Sequence, residues 1–142
     1  MGSRRRVLAF TDHFQRAQAL TTTPGFNGWT VTDTSAAGTP TYLCVTDANG
    51  AMKLTLVSTS EAEIVDMHHN DVLTFDIDQL ESVEFKVKVA GIDAVTTLVF
   101  GMASARNDTP DTVATNVWFR MEGSVSTANV VVESDDGTRD ND

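Results

Sequence analysis

Alternation of apolar and polar residues is clearest in SVEFKVKVAGIDAVTTLVFGM, residues 82–102. Here Val83, Phe85, Val87 and Val89 share one side of a period of two, and Glu84, Lys86 and Lys88 share the other. That is the pattern of a strand with one buried and one wet face. Gly91 and Asp93 bring turn chemistry, after which Leu98, Phe100 and Met102 resume the alternation, so the stretch predicts a central β-hairpin. A second hairpin is predicted over TYLCVTDANGAMKLTLVST. Asn49-Gly50 suits the positive φ angles of a tight type I′ connection, with Leu54 and Leu56 pointing inward and Lys53 and Thr55 outward.

Shorter patterns fill in the rest. Leu8, Phe10 and Phe14 suggest a first strand interrupted by Asp12, and residues 29–33 a second. EAEIVDMHHN fits a strand through Ile64, Val65 and Met67, and residues 71–77, 116–121 and 129–133 complete the set. TTTPGFNG and SAAGTP read as loops. Residues 103–115, polar and containing Pro110, form the longest stretch without an element, either a functional surface loop or a mobile one. No amphipathic helix, internal repeat or linker stands out. The predicted fold class is therefore all-β, an antiparallel β-sandwich in a single domain over 1–142. A basic tip at 1–6 and an acidic tail at 134–142, which holds no apolar residue, flank it.

Charge narrows the partners. The chain carries 10 Lys and Arg against 20 Asp and Glu, a net charge of −10, which argues against nucleic acid because phosphate binding needs a concentrated basic face. The one basic run is Arg4, Arg5 and Arg6, either a solvated arm or a peptide that docks on an acidic surface. No window reaches the length of a membrane-spanning helix, and VLAF is too short for a secretion signal, so synthesis in a reducing cytoplasm is expected. Cys44, the single cysteine, has no internal disulfide partner and is expected to be a buried, inert thiol.

Catalytic chemistry is not signalled. His68 and His69 are adjacent, which in a strand sends them to opposite faces, and His13 lies far off in sequence. No G-x-S-x-G elbow occurs, and neither Asp12 nor Asp66 marks a triad. Glu133, Asp135, Asp136, Asp140 and Asp142, and separately Asn107, Asp108 and Asp111, offer oxygen ligands without calcium-loop spacing, so solvated acidic surface is the expectation. No cofactor, metal or enzymatic activity is expected. Trp29 is expected to plug one end of the core or to stack on a sugar, and Trp118 and Phe119 alternate, so one of the two faces outward.

Three stretches, DVLTFDIDQLESVEFKVKV, TTLVFGMASARNDTPDTVATNVWFRMEG and VVVESDDGT, together resemble phage-encoded structural proteins with a concanavalin A-like, laminin-G-like jelly roll, several of which decorate or cement an icosahedral head. The resemblance is fuller over the second half than over the FTDHF and GW elements of the first. It implies a non-enzymatic virion component on the capsid surface, partnered by the major capsid protein and by other copies of itself, with Arg4, Arg5 and Arg6 as a docking arm. In the family the DDGT stretch leads into further strands, whereas here it is followed only by Arg139 to Asp142. This implies either a shortened jelly roll or an edge supplied by a neighbouring copy. The alternative is a carbohydrate-binding module for host-surface glycans, with Trp29 or Trp118 stacking on the sugar.

Overall fold

The computed structural model describes residues 10–14, 28–57, 59–70, 75–76, 79–124 and 129–136. Among them the regular structure includes seven antiparallel strands and a turn of 3₁₀ helix at Pro110–Thr112. The class is therefore all-β, as predicted, and every sheet is antiparallel. The chain divides into two compact units, Met1–His68 and His69–Asp142.

In the first unit β1 (Thr30–Asp33) pairs with β4 (Val65–His68), and β2 (Thr41–Val45) pairs with β3 (Ala51–Thr55). Val31 is completely buried and Thr30 nearly so, which makes β1 the centre of this unit's packing. The β1–β4 ladder continues beyond the strands through Thr34 N to Ile64 O at 3.0 Å and Ala36 N to Ala62 O at 2.9 Å. Ser35 supports it from the side, its hydroxyl accepting from Ile64 N at 3.0 Å. Trp29 is half-buried against Phe14, ring centroids 5.8 Å apart.

The Asn49-Gly50 signal holds in kind and differs in detail. Both residues have positive φ, 75° and 71°. However, the strands are joined through five residues between Val45 and Ala51, and the closing hydrogen bond runs from Gly50 N to Asp47 O at 2.7 Å. Asn49 is therefore the third residue of its turn and Gly50 the fourth, not the central pair of a two-residue connection. Leu54 and Leu56, expected inward, are exposed, because β3 has no ladder partner beyond β2 among the described residues.

The second unit is a three-stranded meander in which β6 (Thr115–Glu122) lies between β5 (Thr97–Ala103) and β7 (Val131–Asp136). Asp93 shapes the entry to β5. Its carboxylate accepts from Val95 N at 3.1 Å and from the Thr96 hydroxyl at 2.6 Å, and the Thr96 contact, with that of Val95, holds its pKa below the usual range. Two expectations are corrected here. Residues 83–89 do not form a strand: they lie outside every ladder and are exposed throughout, and β5 pairs with β6 instead. The acidic end is also not all tail, since Ser134, Asp135 and Asp136 extend β7 against Val117, Asn116 and Thr115.

The strand expected near Phe10 and Phe14 is absent from residues 10–14. There Asp12 instead accepts from Phe14 N at 2.9 Å and Phe14 takes a positive φ of 49°. The strand expected over 71–77 falls mainly outside the described residues, and Phe75 and Asp76, which are described, are not in one.

Candidate binding surface

Strand parity gives the β5–β6–β7 sheet two unlike faces. Register places Phe100, Phe119 and Val132 side by side on one, with Met102 beside Val117 and Leu98 beside Met121. The other carries Val99, Gly101, Asn116, Trp118, Arg120 and Glu133.

The second face is covered by the chain's own β5–β6 connection. This long loop is well specified locally. Asn107 accepts from Thr109 N at 2.9 Å, and Pro110 begins the 3₁₀ turn, where its fixed φ fits and its missing N–H costs nothing. Val113 N then bonds to Pro110 O at 2.9 Å. Asp111 reaches Arg120, Val113 is buried, and the Asn116 side chain donates to Val113 O at 3.3 Å. Trp118, on the same face, is consequently only 6 % exposed. Of the alternating pair, the outward aromatic is Phe119 at 40 %.

Arg120 is the electrostatic hub. Its guanidinium contacts Asp111 and Glu122, and Glu133 at 3.2 Å. Asp111, hydrogen-bonded by Arg120, is held below its ordinary pKa of 3.8, and the arginine is pushed further above its own. The sign for stability follows. A carboxylate with a depressed folded pKa contributes fully above the unfolded value of 3.8, and the contribution is lost as pH falls through the lower folded value. Asp111 is 65 % exposed, so solvent screening keeps the pair small; Asp111→Asn is expected to cost about 0.2–1 kcal/mol at neutral pH. Urea titrations of both proteins from pH 7 to about pH 2 check this, with the wild-type advantage expected to vanish at the acid end.

The first face is covered only in part, by residues 80–85. Phe85 packs edge-on against Phe100 at 6.1 Å, and Phe100 stacks on Phe119 at 5.3 Å. Beside them lies a groove of about 290 Å³ whose lining includes Leu80, Val83, Met102, Phe119 and Val132. Val117 is 40 % exposed and Val132 64 %, so the apolar side of the sheet continues outward from the groove into solvent.

The other sequence candidates do not assemble into a reaction centre among the described residues. The carboxylates of the 107–111 loop are divided between Arg106, which holds Asp108, and Arg120, which holds Asp111. Glu133 is taken by Arg120, and among the described residues no group of three or more His, Cys, Asp or Glu side chains is placed to hold a metal. His68 Nε2 lies 2.8 Å from the Thr32 hydroxyl, while His69 sits edge-on against Phe75 at 5.5 Å. Cys44 is in no disulfide and is half-buried in β2, where a fully buried thiol is expected from the sequence. Arg4, Arg5 and Arg6 lie outside the described residues, as do Asp140 and Asp142. No described helix is long and apolar enough to cross a membrane.

Sequence reasoning missed Phe119 as the exposed aromatic and Arg120 as the hub; alternation gave their parity but not which side the loop would cover. Comparison with known protein families, with curated proteins and with solved structures finds no match.

Proposed function

We propose that this chain is a non-enzymatic structural component of a phage virion that decorates or cements the capsid by binding the major capsid protein. The family resemblance of the sequence supplies the biological setting. The observation that carries a binding role is the exposed apolar part of this sheet at Val117, Phe119 and Val132, continuous with the groove that residues 80–85 help to line. Surfaces of this kind, with an aromatic near the centre of exposed aliphatic side chains, suit protein association better than turnover. On this reading the two units are parts of a jelly roll, and Arg4, Arg5 and Arg6 provide a second, electrostatic contact to an acidic patch on the shell.

The test is co-sedimentation of the purified protein with empty capsids, with stoichiometry measured by densitometry. Wild type is expected to saturate at a fixed ratio to capsid subunits. Phe119→Ser is expected to weaken binding at least about tenfold, as for a hot-spot aromatic, with circular dichroism checking that loss of its stacking on Phe100 leaves the protein folded. Deleting residues 1–6 is expected to lower occupancy, most clearly at low salt. Absence of capsid binding by the wild type would end the proposal.

A glycan-binding role is the second reading, and the structure shifts its aromatic. Trp118 and Phe119 both border the groove, but Trp118 is only 6 % exposed, so the ring more available to stack on a sugar from this sheet is Phe119. Glycan-array binding lost in Phe119→Ser, together with no capsid binding, would favour it.

A further inference from the structure

Residues 82–89 have the sequence of a strand and lack a sheet. They run without a bend or turn. Val83 and Phe85 line the groove while Glu84 does not, and Phe85 rests on Phe100, so these two apolar side chains face the β5–β6–β7 sheet, and strand parity would carry Val87 and Val89 to the same side. Among the described residues, no backbone hydrogen bond reaches this segment. Val83, Phe85, Val87 and Val89 all remain 38–46 % exposed. The segment therefore presents unpaired N–H and C=O groups along its length, and such an edge is a template for another strand.

We propose that the partner is the same segment of a second copy, paired antiparallel about a two-fold axis at Phe85. The side-chain order is self-complementary in that register. Glu84 faces Lys86 of the second copy and Lys86 faces its Glu84, while Val83 and Val87 face each other twice and Phe85 meets its own counterpart. Only registers that keep apolar residues on one side are allowed, and the two neighbouring ones, centred on Glu84 and on Lys86, each set two like charges directly opposite, although the second also places Glu84 across from Lys88. The paired segments would form a two-stranded second layer, each strand lying on the apolar face of its own sheet. This association goes beyond capsid binding and does not require it.

Charge exchange tests the register on the full chain by sedimentation velocity across a concentration series, with circular dichroism to confirm an unchanged fold. Wild type is expected to show a monomer–dimer equilibrium. Lys86→Glu, which sets Glu84 against a second carboxylate at both symmetry-related positions, is expected to weaken it about tenfold or more. The double variant Glu84→Lys, Lys86→Glu restores both pairs with their signs exchanged, and is expected to return the dissociation constant to within about threefold of wild type. A protein monomeric at every concentration overturns the proposal, and so does a dimer indifferent to Lys86→Glu. A dimer weakened by Lys86→Glu and not restored by the exchange also overturns it; that result would point to Lys86 facing Glu133 or Asp135 on the free edge of β7.

Discussion

Trp118→Ala is expected to cost about 3–5 kcal/mol, the usual range for removing a large aromatic from a packed site. The indole is 6 % exposed and lies under a loop that Val113 and the Asp111–Arg120 contact hold down, so its loss opens a void that Gly101, directly across the ladder, has no side chain to fill. Against a typical total stability of about 5–15 kcal/mol, that loss is large. Trp118→Phe is expected to cost much less. The indole Nε1 is buried without a hydrogen-bond partner, so phenylalanine keeps much of the ring packing and removes a donor that bonds to nothing. Urea unfolding followed by circular dichroism measures both, and a cost below about 1 kcal/mol for the alanine variant would contradict the buried position of the ring. It follows that loss of ligand binding in Trp118→Ala carries no information about a sugar site. Phe119 is the position at which binding and folding separate.

The contrast between residues 83–89 and 116–121 shows what alternation records. Both stretches have period two, and both were expected to be strands. One sits in the middle of a sheet as β6, whereas the other lies against a sheet face with no ladder of its own. Periodicity specifies which side chains prefer an apolar surface, and Phe85 does meet one at Phe100. Hydrogen-bond partners are chosen by distant parts of the chain, and no window of the sequence contains that information. The signals that transferred best were local: Asn49 and Gly50 with their positive φ, Asp93 accepting within its own turn, and Pro110 opening the 3₁₀ turn.

The same distinction explains the candidate site. Parity placed Trp118 and Phe119 on opposite faces, but what covers one of them is the 104–114 connection, polar and without periodicity. Its fold is specified by short-range bonds, Asn107 to Thr109 and Thr109 to Thr112, together with one distant ion pair at Arg120. Three of the acidic residues that the sequence offers as oxygen ligands, Asp108, Asp111 and Glu133, are paired with arginines in space. With a net charge of −10, Arg106 and Arg120 each neutralise at least one carboxylate locally, while the first sheet face is apolar from Leu98 to Val132 and carries Asp136 at its end. That arrangement favours a partner whose contact surface is apolar at its centre and basic or neutral at its rim.

Gly101→Ala is expected to be destabilising as well, for a different reason. A Cβ at this position would lie 2.5 Å from both Cα and Cβ of Trp118 and would press against the Val117 carbonyl oxygen. Those atoms belong to the backbone of the central strand or are attached directly to it, so no side-chain rotation relieves the overlap. The β5–β6 ladder must open locally, at a cost of about 1–3 kcal/mol or more. Because the obstruction is not the indole, removing the indole should not rescue the variant. Combined with Trp118→Ala, Gly101→Ala is expected to retain most of its own cost, so the double-mutant coupling should be well below the cost of either change alone. Substantial rescue, measured by urea unfolding of the four proteins in the cycle, would show instead that the ring occupies the space left by the missing side chain, and that this glycine is present to seat the tryptophan and not to let two strands approach.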